Sequence, residues 1–439
     1  MATGEQISLI DYNDKDGATK LPPLNNYQAK RNSWVHRTFG PMKQGSLRGS
    51  VFILTSTAMG AGYLAIPLCL LQAGLILGLA IVILCAFLMY YSLKTVSNCA
   101  KKYNIYHYPT VCKEMLGVKW AVLLDTAIIL NGIGLIIALN IIVGEIVPSI
   151  FKSLNMNFDR ALERDLIMLF LNVLIVTPLG LMRKLTTLRF KALFNVICLT
   201  FVMLVVIIEF PFFVKHNNFS KINYFVVDIN IFSAFSIGMF AYLCHQNIAR
   251  IQGELFNRTE PRMKKVTRNS IYIMSSLFCI LALFGYLSCL NDTPNLIIMR
   301  KAPDSIGNDW AMVIARFLIS FTLTIAIPIN LLPCRTSIEK LIFKVDGTSS
   351  LIMHLSITLT TIMGCMLIAM FYPNITVVFN FLGGFCAGVM GLIIPGLMYI
   401  KLSEQPLTTP RNLIVLIASW TLAIIGFTSV IIDIVQEAS

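Results

Sequence analysis

Eleven apolar runs follow one another along the chain, separated by short charged segments, and this succession constrains the fold more than any other feature. The runs cover residues 49–72, 75–97, 120–148, 166–182, 192–213, 229–250, 270–290, 310–333, 351–371, 375–400 and 412–434. A helix needs about 20 apolar residues to cross the hydrocarbon core of a bilayer, and each run comes close to that length. The third is the longest and is expected to tilt or to extend past the bilayer. The pattern predicts an all-α polytopic membrane protein with eleven transmembrane helices. Only 13% of the residues are charged, against roughly 25% in a soluble chain, and the mean hydropathy is +0.75. The longest polar stretch is residues 1–48, so no soluble catalytic domain of ordinary size fits between the runs.

A net charge of +13 raises the question of nucleic acid. Placement answers it. With the N-terminus in the cytoplasm, 27 of the 35 Lys and Arg fall on the cytoplasmic side, 7 fall on the other side, and Arg316 lies inside the eighth run. Positive charge gathers on the cytoplasmic flanks of membrane spans. The basic residues therefore speak for a lipid bilayer as partner and against nucleic acid, since they form no separate basic domain. Residues 1–48 read as a polar, disordered cytoplasmic segment without signal-peptide character. Two non-cytoplasmic loops carry the glycosylation candidates Asn218 and Asn291, each in an Asn-X-Ser/Thr sequon.

Enzyme chemistry finds no support. The 11 Cys lie almost entirely within the runs or at their ends and make no CxxC pair. The five His (His36, His107, His216, His245 and His354) have no ligand spacing, and neither HExxH nor GxSxG occurs. No catalytic residue, no cofactor and no metal beyond a sodium ion is expected.

Glycine marks two of the runs. The first reads Thr57-Ala-Met-Gly60-Ala61-Gly62-Tyr63, then Pro67, and the sixth reads Phe235-Ser236-Ile-Gly238-Met-Phe240-Ala241. A pair of Gly-interrupted spans at corresponding places is a pointer to a transporter binding site. Five spans repeated in inverted orientation, plus an eleventh, would relate the first run to the sixth. Small residues also let helices pack closely, and each span alone is open to that second reading.

Five segments, in order, resemble the amino acid/auxin permease family. They are Ala58-Met-Gly-Ala-Gly-Tyr-Leu-Ala-Ile-Pro67 with Gln72-Ala-Gly74; Thr177-Pro-Leu-Gly-Leu-Met-Arg-Lys-Leu-Thr-Thr-Leu-Arg189; Phe240-Ala-Tyr-Leu-Cys-His245 with Ile251-Gln-Gly-Glu-Leu255; Ala315-Arg316 with Pro333-Cys-Arg-Thr-Ser337; and Val378-Phe-Asn-Phe-Leu-Gly-Gly384 with Pro395. The third segment is similar to the family's sodium-coupled neutral amino acid transporter branch. The resemblance implies a five-plus-five inverted repeat, the leucine-transporter fold, with spans one and six broken. It implies a transporter core over residues 49–400, with 401–439 holding the eleventh span and a short non-cytoplasmic C-terminus. It also implies secondary active transport of amino acids, driven by Na+ or H+.

An amino acid brings a carboxylate and an ammonium. Backbone N–H groups freed at Gly60, Ala61 and Gly62, with a half-helix N-terminus, favour the carboxylate. Carbonyls freed by a break around Ser236–Phe240 would accept from the ammonium. Met59, Gly60, Ala61, Gly62, Tyr63, Phe235, Ser236, Gly238 and Phe240 are the substrate-binding candidates, with Tyr63, Phe235 and Phe240 as walls or as packing aromatics. Ser56, Ala58, Thr322 and Thr324 are the ion-binding candidates. The resemblance puts Ser56 where the sodium-coupled branch has Asn, and Ala326 where it has a hydroxyl, so sodium binding is weakened here; Ser320 or Thr322 would compensate.

Ionisable groups inside spans cost ~2.5–3.5 kcal/mol each on insertion scales. Asp125 and His245 are the proton-relay candidates, or are held as structural groups by hydrogen bonds. Arg316 is expected to pair with Glu145 or Glu209. The family's Pro-Glu after the sixth-span His is replaced by Gln246-Asn247, which removes the expected proline kink. Glu5, Leu9 and Ile10 resemble an acidic dileucine signal for a sorting adaptor, which would direct the chain to a lysosome-like or vacuolar membrane rather than the plasma membrane. An alternative function is an amino acid sensor that binds substrate and signals through residues 1–48, which would fold on a partner.

Overall fold

The structure is a computed structural model and describes residues 45–438, apart from 155–159, 183–187, 216, 218–221, 304–305, 307–308 and 345–349. The dileucine residues Glu5, Leu9 and Ile10, most of the 1–48 segment and Asn218 lie outside the described residues. The described residues contain helices and connecting turns but no strand.

Ser46 starts the first helix, its hydroxyl accepting from the Gly49 N–H at 3.2 Å, as an N-cap does. Helix α1 (Leu47–Ala58) ends at Met59 and Gly60, and α2 (Ala61–Ala73) continues the crossing at a bend of 57°. Gly74 turns the chain into α3 (Leu75–Tyr103) with φ +83°, and a Cβ there would lie 2.8 Å from the Tyr224 carbonyl. A short helix, α4 (Tyr108–Leu116), joins α3 to α5 (Val118–Ser153), which at 36 residues is longer than a bilayer requires. The remaining helices are α6 (Arg160–Leu171), α7 (Leu188–Val214), α8 (Asn230–Ala241), α9 (His245–Glu254), α10 (Glu260–Cys289), α11 (Trp310–Leu341), α12 (Leu351–Phe371), α13 (Ile375–Phe381), α14 (Ile394–Ser403) and α15 (Pro410–Ala438). A π-helical turn, Asn172–Val176, and a last turn, Thr177–Gly180, extend α6; a π-helical run, Leu382–Ile393, joins α13 to α14.

Among the described residues, eight unbroken helices are long and apolar enough to cross a bilayer, and the bent α1–α2 pair makes a ninth crossing. The two other expected spans are interrupted ones: α6 with its π turn, and α8 with α9. Each of the eleven apolar runs thus coincides with a helix or a broken helix. The start of α1 defines what is called here the inner end of the bundle.

Two expectations need correction. The break in the sixth span lies at Tyr242–Cys244 and not around Ser236–Phe240, because α8 stays helical through Ala241. That break forms without a proline. Glu209 is paired at the outer end by Arg300 rather than Arg316, and the Arg300 side chain is fully buried. Arg316 instead donates to the carbonyls of Ile298 at 3.0 Å and Arg300 at 3.3 Å. It therefore holds the chain segment that presents Arg300.

The broken helices sit at the centre. A Cβ on Gly62 would lie 2.8 Å from the Ala241 Cα, so α2 and α8 cross at backbone distance. A Cβ on Gly383 would lie 1.8 Å from the Ser236 carbonyl, which presses the π run against α8 from the other side. Such crossings suit a membrane interior, where packing and hydrogen bonds hold helices together without hydrophobic expulsion from water.

Candidate substrate and ion site at the helix breaks

A cavity of about 100 Å³ opens at the Met59–Gly60 break and extends toward the inner end between α1, α5, α7, α9 and α11. Several waters or a small solute fit such a volume. Its wall begins with Ser56, Thr57, Ala58, Met59, Gly60 and Ala61. Phe240 and Leu243 come from the end of α8 and its break, and Gln246 and Asn247 from the first turn of α9. A Cβ on Gly60 would meet nothing within 4 Å, so Gly60 faces open space.

Four helix ends therefore surround one space. The N-termini of α2 and α9 have no side-chain cap, so their first N–H groups and positive dipole ends are free to meet an anion. The C-termini of α1 and α8 bring carbonyls and negative ends. Phe240, in the cavity wall, stacks on Phe379 of α13 with ring centroids 5.2 Å apart.

Of the candidates chosen from sequence, Ser56, Ala58, Met59, Gly60, Ala61, Phe240 and Thr322 line the cavity. Others lie elsewhere. Tyr63 is fully buried, donates to the Leu199 carbonyl at 3.2 Å and packs on Phe278. Ser236 bonds the Gly426 carbonyl at 3.1 Å and Ser429 at 2.7 Å, both on α15. Gly238 lets Cys85 approach: an added Cβ would lie 3.0 Å from its Sγ. Gly62 is spent on the α2–α8 crossing, and Phe235 is buried without reaching the cavity.

The ion candidates hold their hydroxyls closely. Thr322 donates back to the Ile319 carbonyl at 3.0 Å and Thr324 to the Ser320 carbonyl at 2.7 Å. Ser56 accepts from the Asn195 amide at 3.1 Å. The two relay candidates lie outside the cavity. Asp125 accepts from Ser337 at 3.0 Å, and the His245 Nε2 lies 2.7 Å from the Ser92 hydroxyl. Asn291 is exposed in a short turn at the outer end.

Sequence reasoning missed the amides and the cation of the wall: Asn131, Lys191, Asn195, Gln246, Asn247 and Asn330. Asn131 donates to Gln246 at 3.0 Å, tying α5 to α9. Asn195 donates to the Met59 carbonyl at 2.9 Å as well as to Ser56. The available signal was the spacing of Lys191 and Asn195, four apart and so on one face of a helix.

Broken helices meeting at a mid-bundle cavity define a membrane protein of the transporter type in which irregular backbone lines the binding space. Two solved structures share the fold: MhsT in complex with L-phenylalanine, with a TM-score of 0.58 at 10% identity, covering 89% of this chain and 100% of that one; and the Eremococcus coleocola manganese transporter, at 0.54 and 13%, covering 88% and 86%. This is the leucine-transporter fold that the sequence led us to expect. The chain matches the family described as transmembrane amino acid transporter protein over residues 43–437, and it belongs to that family. Similar proteins include AAT1 of Toxoplasma gondii, a candidate amino acid transporter, 27% identical and covering 70% of this chain and 42% of its own. Amino acid transporter AVT6B of Arabidopsis thaliana is 27% identical over 82% of this chain and 84% of its own. Sodium-coupled neutral amino acid symporter 2 of Danio rerio is 25% identical over 91% and 83%. The chain spans about half the length of AAT1 from Toxoplasma gondii and of its namesake from Plasmodium falciparum, 42% and 51% respectively.

Proposed function

We propose that this chain is a secondary active transporter that moves neutral amino acids across a membrane by alternating access, coupled to an ion gradient. The observation that carries the reading is the meeting of four helix ends of both polarities around one cavity. A zwitterion matches that arrangement without a charged side chain at each end. Its carboxylate would be held at the N-terminus of α2, where Gly60 leaves room for close approach. Its ammonium would lie against the carbonyl ends of α1 and α8. Leu135, Leu139, Leu323 and Phe240 offer apolar wall to the side chain, and among the described residues no carboxylate lines the cavity to select a cationic one. The names borne by the similar proteins from Arabidopsis and zebrafish support the same reading. We place the N-terminus on the cytoplasmic side from the 27-to-7 asymmetry of Lys and Arg.

The test is radiolabelled amino acid uptake by the purified full chain in proteoliposomes, with imposed sodium and proton gradients compared. Concentrative uptake of at least one neutral amino acid is expected. Failure to take up any of the twenty under either gradient would overturn the reading.

A further inference from the structure

The inner end of the bundle carries its charges unevenly. On α4 Lys113 stands beside Glu114, on α9 Arg250 bonds Glu254 at 3.0 Å, and on α11 Glu339 follows Arg335 and precedes Lys340. The face formed by α3 and α10 is different. Its inner part holds Lys94, Lys101 and Lys102 on α3 and Arg262, Lys264, Lys265 and Arg268 on α10, against one carboxylate, Glu260. Lys101 takes Glu260 at 3.5 Å, and Lys102 pairs with Glu404 just past α14. Lys94, Lys264, Lys265 and Arg268 form no ion pair among the described residues. The neighbouring helices do not neutralise the face. Helix α1 adds Arg48, α14 adds Lys401 and α7 adds Lys191; the α7 carboxylate, Glu209, is held by Arg300 at the outer end.

Geometry gathers these cations at one place. Glu260, Lys264, Arg268 and Tyr272 recur every fourth residue on α10 and are all exposed, so they line one stripe. Phe87, Tyr91, Lys94 and Lys101 follow the helical spacing of three, four and seven on α3. The Lys101–Glu260 pair sets the two stripes side by side, and the helices run in opposite directions. Lys94 lies seven residues from that pair and Arg268 eight, roughly 11 and 12 Å along the two axes, so both stand at one level. That level is the inner edge of the apolar runs 75–97 and 270–290. About a turn closer to the bilayer centre, Tyr91 and Tyr272 are exposed, and Tyr91 packs on Phe87 and Tyr90 with ring centroids 4.6 and 5.3 Å apart. Cations with amphipathic rings above them match the phosphate and glycerol levels of a phospholipid in the same order.

We propose that the α3–α10 face is a docking site for an anionic phospholipid of the leaflet at the inner end. Lys94, Lys264, Lys265 and Arg268 hold its phosphate, and its acyl chains lie along Tyr91, Phe87 and Tyr272. Basic clusters between spans recognise anionic headgroups by charge, and each cation near the surface is worth about fivefold in affinity. A general excess of basic residues would spread over the whole inner end, whereas here the unpaired cations stand together under an aromatic shelf. The site also touches the first helix: Ser270, two residues beyond Arg268, donates to the Val51 carbonyl of α1 at 3.2 Å. A lipid seated on α10 therefore bears on the helix that supports α1. The inference concerns lipid binding and stands apart from the transport reading.

The experiment equilibrates the purified full chain with mixed micelles of phosphatidylglycerol and phosphatidylcholine and reads the retained lipid by native mass spectrometry. The parent chain should retain phosphatidylglycerol in preference to phosphatidylcholine. Lys264→Gln, Lys265→Gln and Arg268→Gln should each weaken that preference about fivefold, and the three together on the order of a hundredfold if they act independently. Lys264→Arg with Lys265→Arg, which keeps the charge, should retain the lipid. A control removes the same charge from other exposed inner-end positions, Lys113→Gln, Lys119→Gln and Lys401→Gln, and should bind like the parent. Thermal melts check that every variant is folded, as expected for changes at exposed positions. A combined α10 variant that retains phosphatidylglycerol like the parent would overturn the proposal. So would a control that loses as much, which would mean a diffuse field and no site. Displacement of the lipid by an equal concentration of glycerol phosphate would also overturn it, by assigning the face to a free phosphate.

Discussion

The Asn195 amide on α7 donates to the Met59 carbonyl at 2.9 Å, across the point where α1 gives way to α2. The unwound backbone there has no helical partner for that carbonyl, and a side chain from another helix supplies one. A second donation to Ser56 at 3.1 Å makes Asn195 a clasp that ties the last turn of α1 to the break itself. Interhelical hydrogen bonds in membrane proteins are worth roughly 0.6–2 kcal/mol. Asn195→Ala should therefore lower uptake several-fold, measured as initial rate in proteoliposomes, with the folded fraction nearly unchanged. An Ala variant as fast as the parent would show that the clasp plays no part in the cycle.

Two glycines two residues apart should respond in opposite ways. Gly62→Ala sets a methyl 2.8 Å from the Ala241 Cα and forces α2 from α8. Overpacking of that kind costs about 1–3 kcal/mol, so the melting temperature in detergent should fall. Gly60→Ala meets no atom within 4 Å. It should melt like the parent but bind substrate more weakly, since its methyl enters the cavity. Equal melting temperatures for the two variants would contradict the crossing described.

The outer ion pair predicts an asymmetry between single and double changes. Arg300 is buried against Glu209, with its guanidinium 4.4 Å from the centroid of Phe213. Removing one partner of a buried pair costs about 3–5 kcal/mol, whereas replacing both by apolar groups is often nearly neutral. Arg300→Met should destabilise strongly, and Arg300→Met with Glu209→Leu should recover much of the loss. Additive losses in thermal melts would count against a coupled pair.

Cysteine labelling can outline the cavity. Nine of the 11 native Cys are buried, and Cys279 and Cys289 are half-buried. Background labelling should therefore be low. Asn247→Cys and Asn330→Cys, both in the cavity wall, should react with a small maleimide and be protected by a transported amino acid. Protection missing at both positions would separate the cavity from the substrate path.

The apolar runs were legible because a bilayer demands length and hydrophobicity above all, and the first-span break was legible because Gly60 lies in it and Gly62 follows two residues on. The second break was misplaced for a physical reason. Gly238 looked like a point of unwinding, but its missing side chain accommodates Cys85 within a continuous helix. The break instead falls at Tyr242–Cys244, where no glycine or proline marks it. Lys191 and Asn195 were hidden for another reason. Helix α7 is apolar nearly all round, so periodicity does not tell which face meets α1, and Lys191 was counted with the basic residues of the inner loop. Only the three-dimensional arrangement shows that this face lines the cavity.

The joint between α1 and α2 has a mechanical consequence. Met59 and Gly60 contribute two soft backbone dihedrals each, so a change of direction there is confined to four rotations, and both arms keep their own hydrogen bonds. The cost of turning such a joint does not grow with the arm, but the travel of the tip does. With 12 residues in α1 and a rise of about 1.5 Å per residue, the arm is about 18 Å long. Each further 10° at the joint would carry Leu47 through about 3 Å of arc. The first helix is in effect a lever whose fulcrum lies at the cavity, and a contact as small as one amide clasp at that fulcrum governs the position of everything at the far end.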